Sequence, residues 1–584
     1  MNTIIDTISI WTTAQKLKTS GRGRSASNQS LHGINKLREL ILELAVRGKL
    51  VPQNPEDEPA SILLKKIAKE KARLVKEGKI KSQEQTAEIK EDEKPFQIPD
   101  KWEFRHLEEC FFITSGTSFD KTKELDNGQY LYVKVADMNL EGNEVNITTS
   151  SRFYNPTSKE LNSLIPAGSI VFPKRGGAIA TNKKRIIIKD LFVDLNIMAI
   201  TPSNGISLDY AFRWLMHIDL AELNTGTSVP QINHKDIAPL IFPVPPLAEQ
   251  HRIVAKVDEL MALCDQLEQQ QTDSNSAHEI LVETLLDTLT NASDQAELET
   301  TWQRISNYFN TLFTTEYSID RLKQTILQLA VMGKLVPQNP DDEPANVLLK
   351  KIGKEKARLV KEGEIKKQNP LSEIREDEKP FELPIGWSFA RLDALSKLIT
   401  KGSSPNWQGV AYTEDPDDVL FVTSENVGSY ILLLEHRKYV EIKFNDIEPR
   451  SILEKGDFLM NIVGASIGRT AIYNIDDLAN INQAVCLIRL FTQFMNDQYL
   501  LHFFNSEICT SYMFDKQVDN ARPNLSMSNI AKFVIPFPPL SEQHRIVAKV
   551  DELFSICDAL KERINESQVT QLNLADALVD GAVS

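Results

Sequence analysis

A chain of 584 residues, 41% hydrophobic and 25% charged, has a globular composition and is too long for one core, so roughly three or four domains or a repeated pair is expected. No apolar run approaches the roughly 20 residues that span a bilayer, and Met1–Ile10 lacks the regions of a signal peptide, so a cytoplasmic location is expected. Five scattered cysteines without CxxC argue against a disulfide framework and a zinc site, while a net charge of −15 speaks against nucleic-acid binding unless positive charge is local.

In chain order, Leu37, Leu40, Ile41, Leu44 and Ala45 share one face at helical spacing, and Gly48 suits a left-handed stop. Pro52 and Pro55 stiffen a connector, and Pro59 can open a second helix in its first turn. That helix runs through Leu63, Ile67 and Leu74 to Gly78, and its lysine-rich face reads as solvated, with a partner interface left open. From Glu103 to about Pro243 the pattern turns β-rich. Tyr130–Val135, Ser169–Phe172, Arg185–Ile188 and Ile197–Ile200 are expected strands, and Leu208–His217 an expected helix. After Pro245–Pro246, Ile253, Val257, Leu260, Met261, Cys264 and Leu267 form the stripe of a longer helix; Ile280–Leu289 and Ile319–Val331 continue helical text.

The same order then returns. GKLVPQNP at Gly48–Pro55 recurs at Gly333–Pro340, and KEKARLVKEG at Lys69–Gly78 recurs at Lys354–Gly363; both are displaced by 285 residues (48 to 333). KPF followed by Trp recurs at the same offset, from Lys94–Trp102 to Lys379–Trp387. EQHRIVAKVDEL at Glu249–Leu260 returns at Glu542–Leu553, displaced by 293 (249 to 542), so the second insert is about eight residues longer. Between Ser388 and about Pro536, Val419–Val422, Phe458–Ile462, Ala471–Tyr473 and Val485–Leu490 are expected strands, and Asp497–Phe504 a helix. The last stripe, Ile546, Val550, Leu553, Phe554, Cys557, Leu560 and Ile564, twins the earlier one. The expected fold class is α+β: two α/β inserts joined by long helices packing as an antiparallel coiled coil, with a pseudo-two-fold internal repeat. Frames kept nearly identical do one job twice, whereas dissimilar inserts do two related jobs. A duplicated enzyme would repeat its active-site residues, and these inserts repeat none; His251 and His544, inside the repeated helix, read as satisfied structural histidines. No phosphate-cradling GxxxxGK[ST] is present.

Polar loops stand at matching depths in both inserts. In the first these are Thr114–Phe119, Lys174–Arg185 and Thr225–Lys235; in the second, Lys401–Trp407, Gly464–Thr470 and Asn520–Asn529. Arg and Lys suit guanine edges and phosphates, and Asn and Gln suit adenine, although the same residue types make ordinary turns. The candidate DNA-contacting residues of the first insert are Ser115, Thr117, Ser118 and Lys121; Lys174, Arg175, Asn182, Lys183 and Lys184; and Thr227, Gln231, Asn233 and Lys235. Those of the second are Lys401, Ser403 and Ser404; Asn461, Ser466 and Arg469; and Arg522, Asn524 and Ser526. Acidic residues cluster elsewhere, at Glu91–Glu93, Glu376–Glu378 and Glu414–Asp418, which partly answers the charge objection.

ELAVRGKLVPQ at Glu43–Gln53, QLAVMGKLVPQ at Gln328–Gln338, and PLAEQHRIVAKVDEL with its copy PLSEQHRIVAKVDEL, taken in this order, resemble the specificity subunits of type I restriction–modification enzymes. The resemblance is to members with an N-terminal frame segment before the first recognition domain. It implies a repeated helical frame at 1–101, a target-recognition domain at 102–246, a central frame at 247–386, a second recognition domain at 387–539 and a repeated helix at 540–584. It implies further that each domain reads half of a bipartite, asymmetric double-stranded DNA target, while the helices set the spacer. Two methyltransferase subunits would dock on the frame and restriction/translocase subunits would join them, with no membrane involved. No cofactor is then expected on this chain; S-adenosylmethionine, ATP and Mg would be held by partner subunits, and the chain itself would be non-catalytic. The competing reading is a scaffold whose inserts bind protein surfaces, which the acidic total would suit.

Overall fold

The computed structural model describes residues 8–17, 29–78, 88–223, 229–367, 371–515 and 525–583. The chain divides into two compact units, Met1–Ser274 with Ser567–Ser584, and Asn275–Glu566.

In the first unit, α1 (His32–Val46) buries Ile34, Leu37, Leu40, Ile41 and Ala45, the face its spacing predicts. It stops where Gly48 takes φ +69°; a Cβ there would lie 2.6 Å from the Pro99 ring, so only glycine fits. Pro59 caps α2 (Ala60–Lys76) from just outside, fixing the backbone where no N–H is needed. Lys65, Lys66, Lys69 and Lys76 on α2 are exposed, as expected. Lys71 departs from that expectation: its ammonium donates to the backbone carbonyls of Glu108 at 2.5 Å and Phe111 at 2.9 Å. Burial pulls its pKa down to about 8.

The first insert holds β1 (Glu103–His106), β2 (Phe111–Ser115), β3 (Tyr130–Val133), β4 (Asn146–Ile147), β5 (Phe153–Tyr154), β6 (Ile170–Pro173), β7 (Arg185–Ile187), β8 (Phe192–Val193), β9 (Ile197–Pro202), α3 (Leu208–His217) and β10 (Ile241–Val244). One sheet runs β2-β9-β6-β7-β4, a second runs β8-β3-β5, and β10 pairs with β1 alone. The helix α4 (Leu247–Thr290) then continues for 44 residues, about 66 Å at 1.5 Å per residue. The apolar stripe ending at Leu267 and the helical text at Ile280–Leu289 are therefore one helix. It begins in the first unit and ends in the second.

The second unit repeats the plan with α5 (Glu316–Val331), α6 (Ala345–Glu362), β11 (Ser388–Arg391), β12 (Ser396–Lys401), β13 (Tyr412–Thr413), β14 (Val419–Val422), β15 (Tyr439–Val440), β16 (Asp457–Asn461), β17 (Thr470–Tyr473), β18 (Ala479–Ile481), β19 (Val485–Leu490), α7 (Asp497–Phe504), β20 (Val534–Phe537) and α8 (Leu540–Val583). Its sheets run β12-β19-β16-β17 and β13-β15-β14-β18, with β11 paired to β20. In both inserts the first sheet's shared part is antiparallel, and one parallel pair recurs in the second sheet, β8 with β3 and β18 with β14. Sequences with little in common have thus kept one topology.

The C-terminal end of each long helix packs into the core of the unit it belongs to. Val282, Leu286 and Leu289 of α4 join the second core. Ala575, Val579 and Ala582 of α8, each 293 residues further on, join the first. There His32 lies 3.1 Å from Asp576.

Candidate nucleic-acid interface

Strand register decides where the polar loops emerge. Ser115, closing β2, is opposite Met198, and Pro173, closing β6, is opposite Ile197. The loops after β2 and β6 therefore leave from one sheet edge. Gly116 sits so close to the Asp194 carbonyl that a Cβ would lie 1.9 Å from it, which pins the first loop to the second sheet. Lys174 donates to the Ser115 hydroxyl at 2.9 Å. Residues 230–232 run alongside: Gly176 N–H donates to Pro230 O at 2.8 Å and Ile232 N–H to Lys174 O at 2.9 Å. Arg175 reaches the Gln231 amide oxygen at 3.3 Å, and Gln231 donates to Asn233 at 2.5 Å.

Three segments far apart in sequence thus share one face. Ser115, Ser118, Lys121, Arg175 and Lys235 are exposed on them; Thr117, Lys174, Lys183, Gln231 and Asn233 are half-buried. Partial burial, and then the Arg175 charge, lower the Lys174 pKa.

Lys184 is a correction. It is 1% exposed, its ammonium donating to Asn182 Oδ1 at 2.6 Å and Ile218 O at 2.7 Å, and burial brings its pKa down to about 8. A lysine so enclosed braces the loop from inside and has no free approach to phosphate. Asn182 shares the bracing, in a left-handed conformation (φ 52°) with its amide oxygen also accepting from Leu220 N–H.

The second insert builds the same edge. Lys401 is opposite Cys486 and Asn461 opposite Val485. A Cβ on Gly402 would lie 1.8 Å from Ile481 O, and Leu525 N–H donates to Ile462 O at 3.0 Å, as Ile232 does to Lys174. Lys401, Arg469 and Ser526 are exposed, while Ser403, Ser404 and Ser466 are half-buried. Asn461 is the second correction: fully buried, its amide donates to Ser424 O and Val427 O at 3.0 Å, so it ties a loop and faces no groove. Thr227, Arg522 and Asn524 lie outside the described residues. By the shared backbone pairing, Ile462 and Val463 occupy the places of Lys174 and Arg175. Ile462 is buried and Val463 half-buried, so the cation pair of the first edge has no counterpart at these two places in the second.

The residues that fasten each insert to its frame were not singled out from the sequence, although they lie in the repeated text. Glu249 is fully buried and accepts from Trp102 Nε1 at 3.0 Å and Gln53 at 2.5 Å; burial raises its pKa. Gln250 accepts from Ser207 N–H at 2.8 Å and donates to Pro245 O, and Arg252 pairs with Asp57 at 2.6 Å. The twins repeat most of these bonds: Glu542 with Gln338 at 3.2 Å, Gln543 with Asn496 N–H at 2.8 Å and Pro538 O, Arg545 with Asp342 at 2.7 Å; the exception is the indole, since Trp387 Nε1 is buried without a hydrogen-bond partner among the described residues. Tyr210 and Tyr499 donate to the carbonyls of Pro243 and Pro536. His251 and His544, in the same motif, are exposed, and His544 Nδ1 lies 2.8 Å from the Asn496 amide nitrogen. All five cysteines are buried and unpaired. No helix of the described residues is long and apolar enough to cross a membrane.

A twice-used frame carrying two differing polar edges defines a duplicated recognition protein. The type I restriction modification DNA specificity domain matches it at residues 99–274 and again at 384–568. The chain belongs to this family of type I restriction enzyme specificity subunits. It is 37% identical over 612 residues to the EcoAI specificity subunit of Escherichia coli, covering 100% of this chain and 99% of that protein. The EcoEI specificity subunit of the same organism is 37% identical over 611 residues, with the same coverage. A solved chain described under complex assembly and conformational transition of the type I R-M system is 19% identical, with a TM-score of 0.48, covering 84% of this chain and 99% of that one.

Proposed function

We propose that the two inserts each read one half of a bipartite, asymmetric double-stranded DNA target, and that the long helices set the gap between them. The observation that carries this is one topology whose matching edges differ: Lys174 and exposed Arg175 stand in one insert where the other has buried Ile462 and half-buried Val463. Charge-assisted contacts from Arg175, Lys174 and Lys235 suit phosphates and guanine edges. On this reading the chain is a non-catalytic, cytoplasmic subunit that holds no cofactor; S-adenosylmethionine, ATP and Mg belong to methyltransferase and restriction subunits. The test is to co-express the chain with a methyltransferase subunit and map methylated bases genome-wide. A split motif with a fixed gap is expected, and exchanging Glu103–Pro243 for another recognition domain should change one half only. A continuous short motif, or a change in both halves, would overturn the proposal. A scaffold for proteins would bind no duplex even at low salt.

Two methyltransferase subunits docking on the frame is supported by exposed apolar side chains at twin positions. Leu263 and Ile556 are exposed, as are Leu281 and Leu574, each pair 293 residues apart (263 to 556, 281 to 574). Frame side chains of one kind exposed twice suit one partner bound twice. Leu263→Asp is expected to remove one of two methyltransferase copies, and Leu263→Asp with Ile556→Asp both, in native mass spectra of the co-expressed complex. Unchanged stoichiometry would place the docking surface elsewhere.

A further inference from the structure

We infer that Trp407 is a stacking wedge, inserting its indole at a base step of the DNA read by the second insert. This rests on the DNA-reading proposal above and adds a contact of a different kind to it. Four of the six tryptophans are buried, whereas Trp407 is 74% exposed. A tryptophan exposes on the order of 200 Å² of apolar surface when left in water, and this one is held there by a stiff turn.

The turn is built from below the ring. Pro405 and Val410 are buried, and Val410 N–H donates back to Pro405 O at 3.0 Å. Gln408 donates to the Ser403 hydroxyl at 3.1 Å and to Glu448 at 2.9 Å. Trp407 N–H donates to Ser404 O at 3.1 Å, and Gly409 closes the turn at φ +67°. A ring presented on a fixed backbone loses little conformational entropy when it engages a partner.

Placement ties the ring to the DNA edge. The turn begins four residues after Lys401, an exposed cation at the end of β12, and Gly402 anchors the stretch between them against Ile481 O. Glu448 beneath the turn is answered by Gln408 and by Arg450 at 3.7 Å, so the carboxylate nearest the turn is already paired. At the matching depth of the first insert the aromatic goes the other way: Phe119 stacks on Tyr154 with centroids 3.9 Å apart, inside the domain. The second insert fills that place with Phe421 and Phe444 and leaves its own aromatic outside. Aromatic and apolar wedges that enter between base pairs unstack the step they touch, and ring–base stacking is read mainly by shape. Domain two, which has no counterpart of the Lys174–Arg175 cation pair at the matching places, would in this way gain affinity that phosphate contacts do not supply.

The experiment uses the full chain with its methyltransferase subunits and a duplex carrying the split motif found by methylation mapping. 2-Aminopurine replaces successive bases of the half-site assigned to the second insert. Wild type is expected to raise 2-aminopurine fluorescence at one step, which Trp407→Phe keeps and Trp407→Ala loses. Trp407→Ala is also expected to weaken binding about ten-fold while leaving the slope of log affinity against log salt unchanged, which separates stacking from a phosphate contact. Unchanged affinity and an unchanged fluorescence profile in Trp407→Ala would overturn the wedge while leaving DNA reading intact. So would loss of methyltransferase subunits from the complex with DNA affinity otherwise equal, because the ring would then belong to a protein interface. A wild-type complex that binds no duplex at any salt would overturn both proposals.

Discussion

Trp102→Ala is expected to destabilise the first unit by about 4 kcal/mol while the second keeps its stability. Trp102 is buried over Gly48, where even a Cβ would stand 3.0 Å from its ring. Its Nε1–H is one of two donors satisfying the fully buried Glu249. Truncation opens a cavity where the insert begins and leaves Glu249 one partner short, so the loss combines cavity and desolvation costs. Trp102→Phe keeps most of the ring's volume and removes only the donor; about 1–2 kcal/mol is expected. Hydrogen exchange would localise the effect: protection should fall across α1, α2 and β1 and stay unchanged across α5 and α6. Trp387→Ala should give the mirror result, because Gly333 meets Trp387 as Gly48 meets Trp102. Equal loss of protection in both units after either substitution would show that the anchors do not act separately.

Much of this architecture was legible in the residues. Leu208–His217 and Val419–Val422 form as read, and Tyr130–Val133 and Ile170–Pro173 fall within a residue or two of their predicted bounds, because runs of apolar and β-branched residues report burial directly. Phe111–Ser115 was missed as a strand: its Phe-Phe-Ile-Thr-Ser text abuts a polar loop and shows no alternation that separates it from a loop. Which core each long helix's C-terminal end would join was also out of reach, since a stripe shows which face is buried and says nothing of what buries it. Lys184 and Asn461 failed for a related reason. Their polarity reads as surface, yet each satisfies carbonyls inside a loop, and the partners Ile218, Ser424 and Val427 come from sequence-distant or divergent text. Glu249, Gln250 and Arg252 were in plain view as repeated letters. Identity across both copies was the available signal: polar residues that recur with a frame are candidates for holding what differs between its copies.

Acidification is expected to weaken the second unit through His502. This side chain on α7 is buried, with Nδ1 3.1 Å from the Tyr430 hydroxyl, Nε2 3.9 Å from Asp551, and its ring beside Phe554. Burial lowers its pKa to about 4, from 6.5. The unfolded chain therefore takes up the proton first. The contribution of His502 is complete above about pH 6.5, declines as pH falls toward 4, and amounts to about 3 kcal/mol in all. Asp497, at the start of the same helix, acts in the opposite direction: burial raises its pKa to about 6, so acid removes a penalty there. The wild-type curve alone would mix the two. His502→Gln retains a hydrogen-bonding side chain beside Tyr430 and does not titrate, so the difference between wild type and variant isolates the histidine. That difference, measured by urea unfolding of the full chain between pH 7.5 and 4, should shift by about 3 kcal/mol toward the variant. In the first unit Arg213 pairs with Asp258, whose twin 293 residues on is Asp551, so no imidazole stands at that site. His217 nearby is lowered by burial, with Glu43 at 3.1 Å opposing the shift, so the first unit should lose less. A pH-independent difference between wild type and His502→Gln would mean that His502 is protonated or solvated in the folded unit, and would remove the acid sensitivity assigned to it.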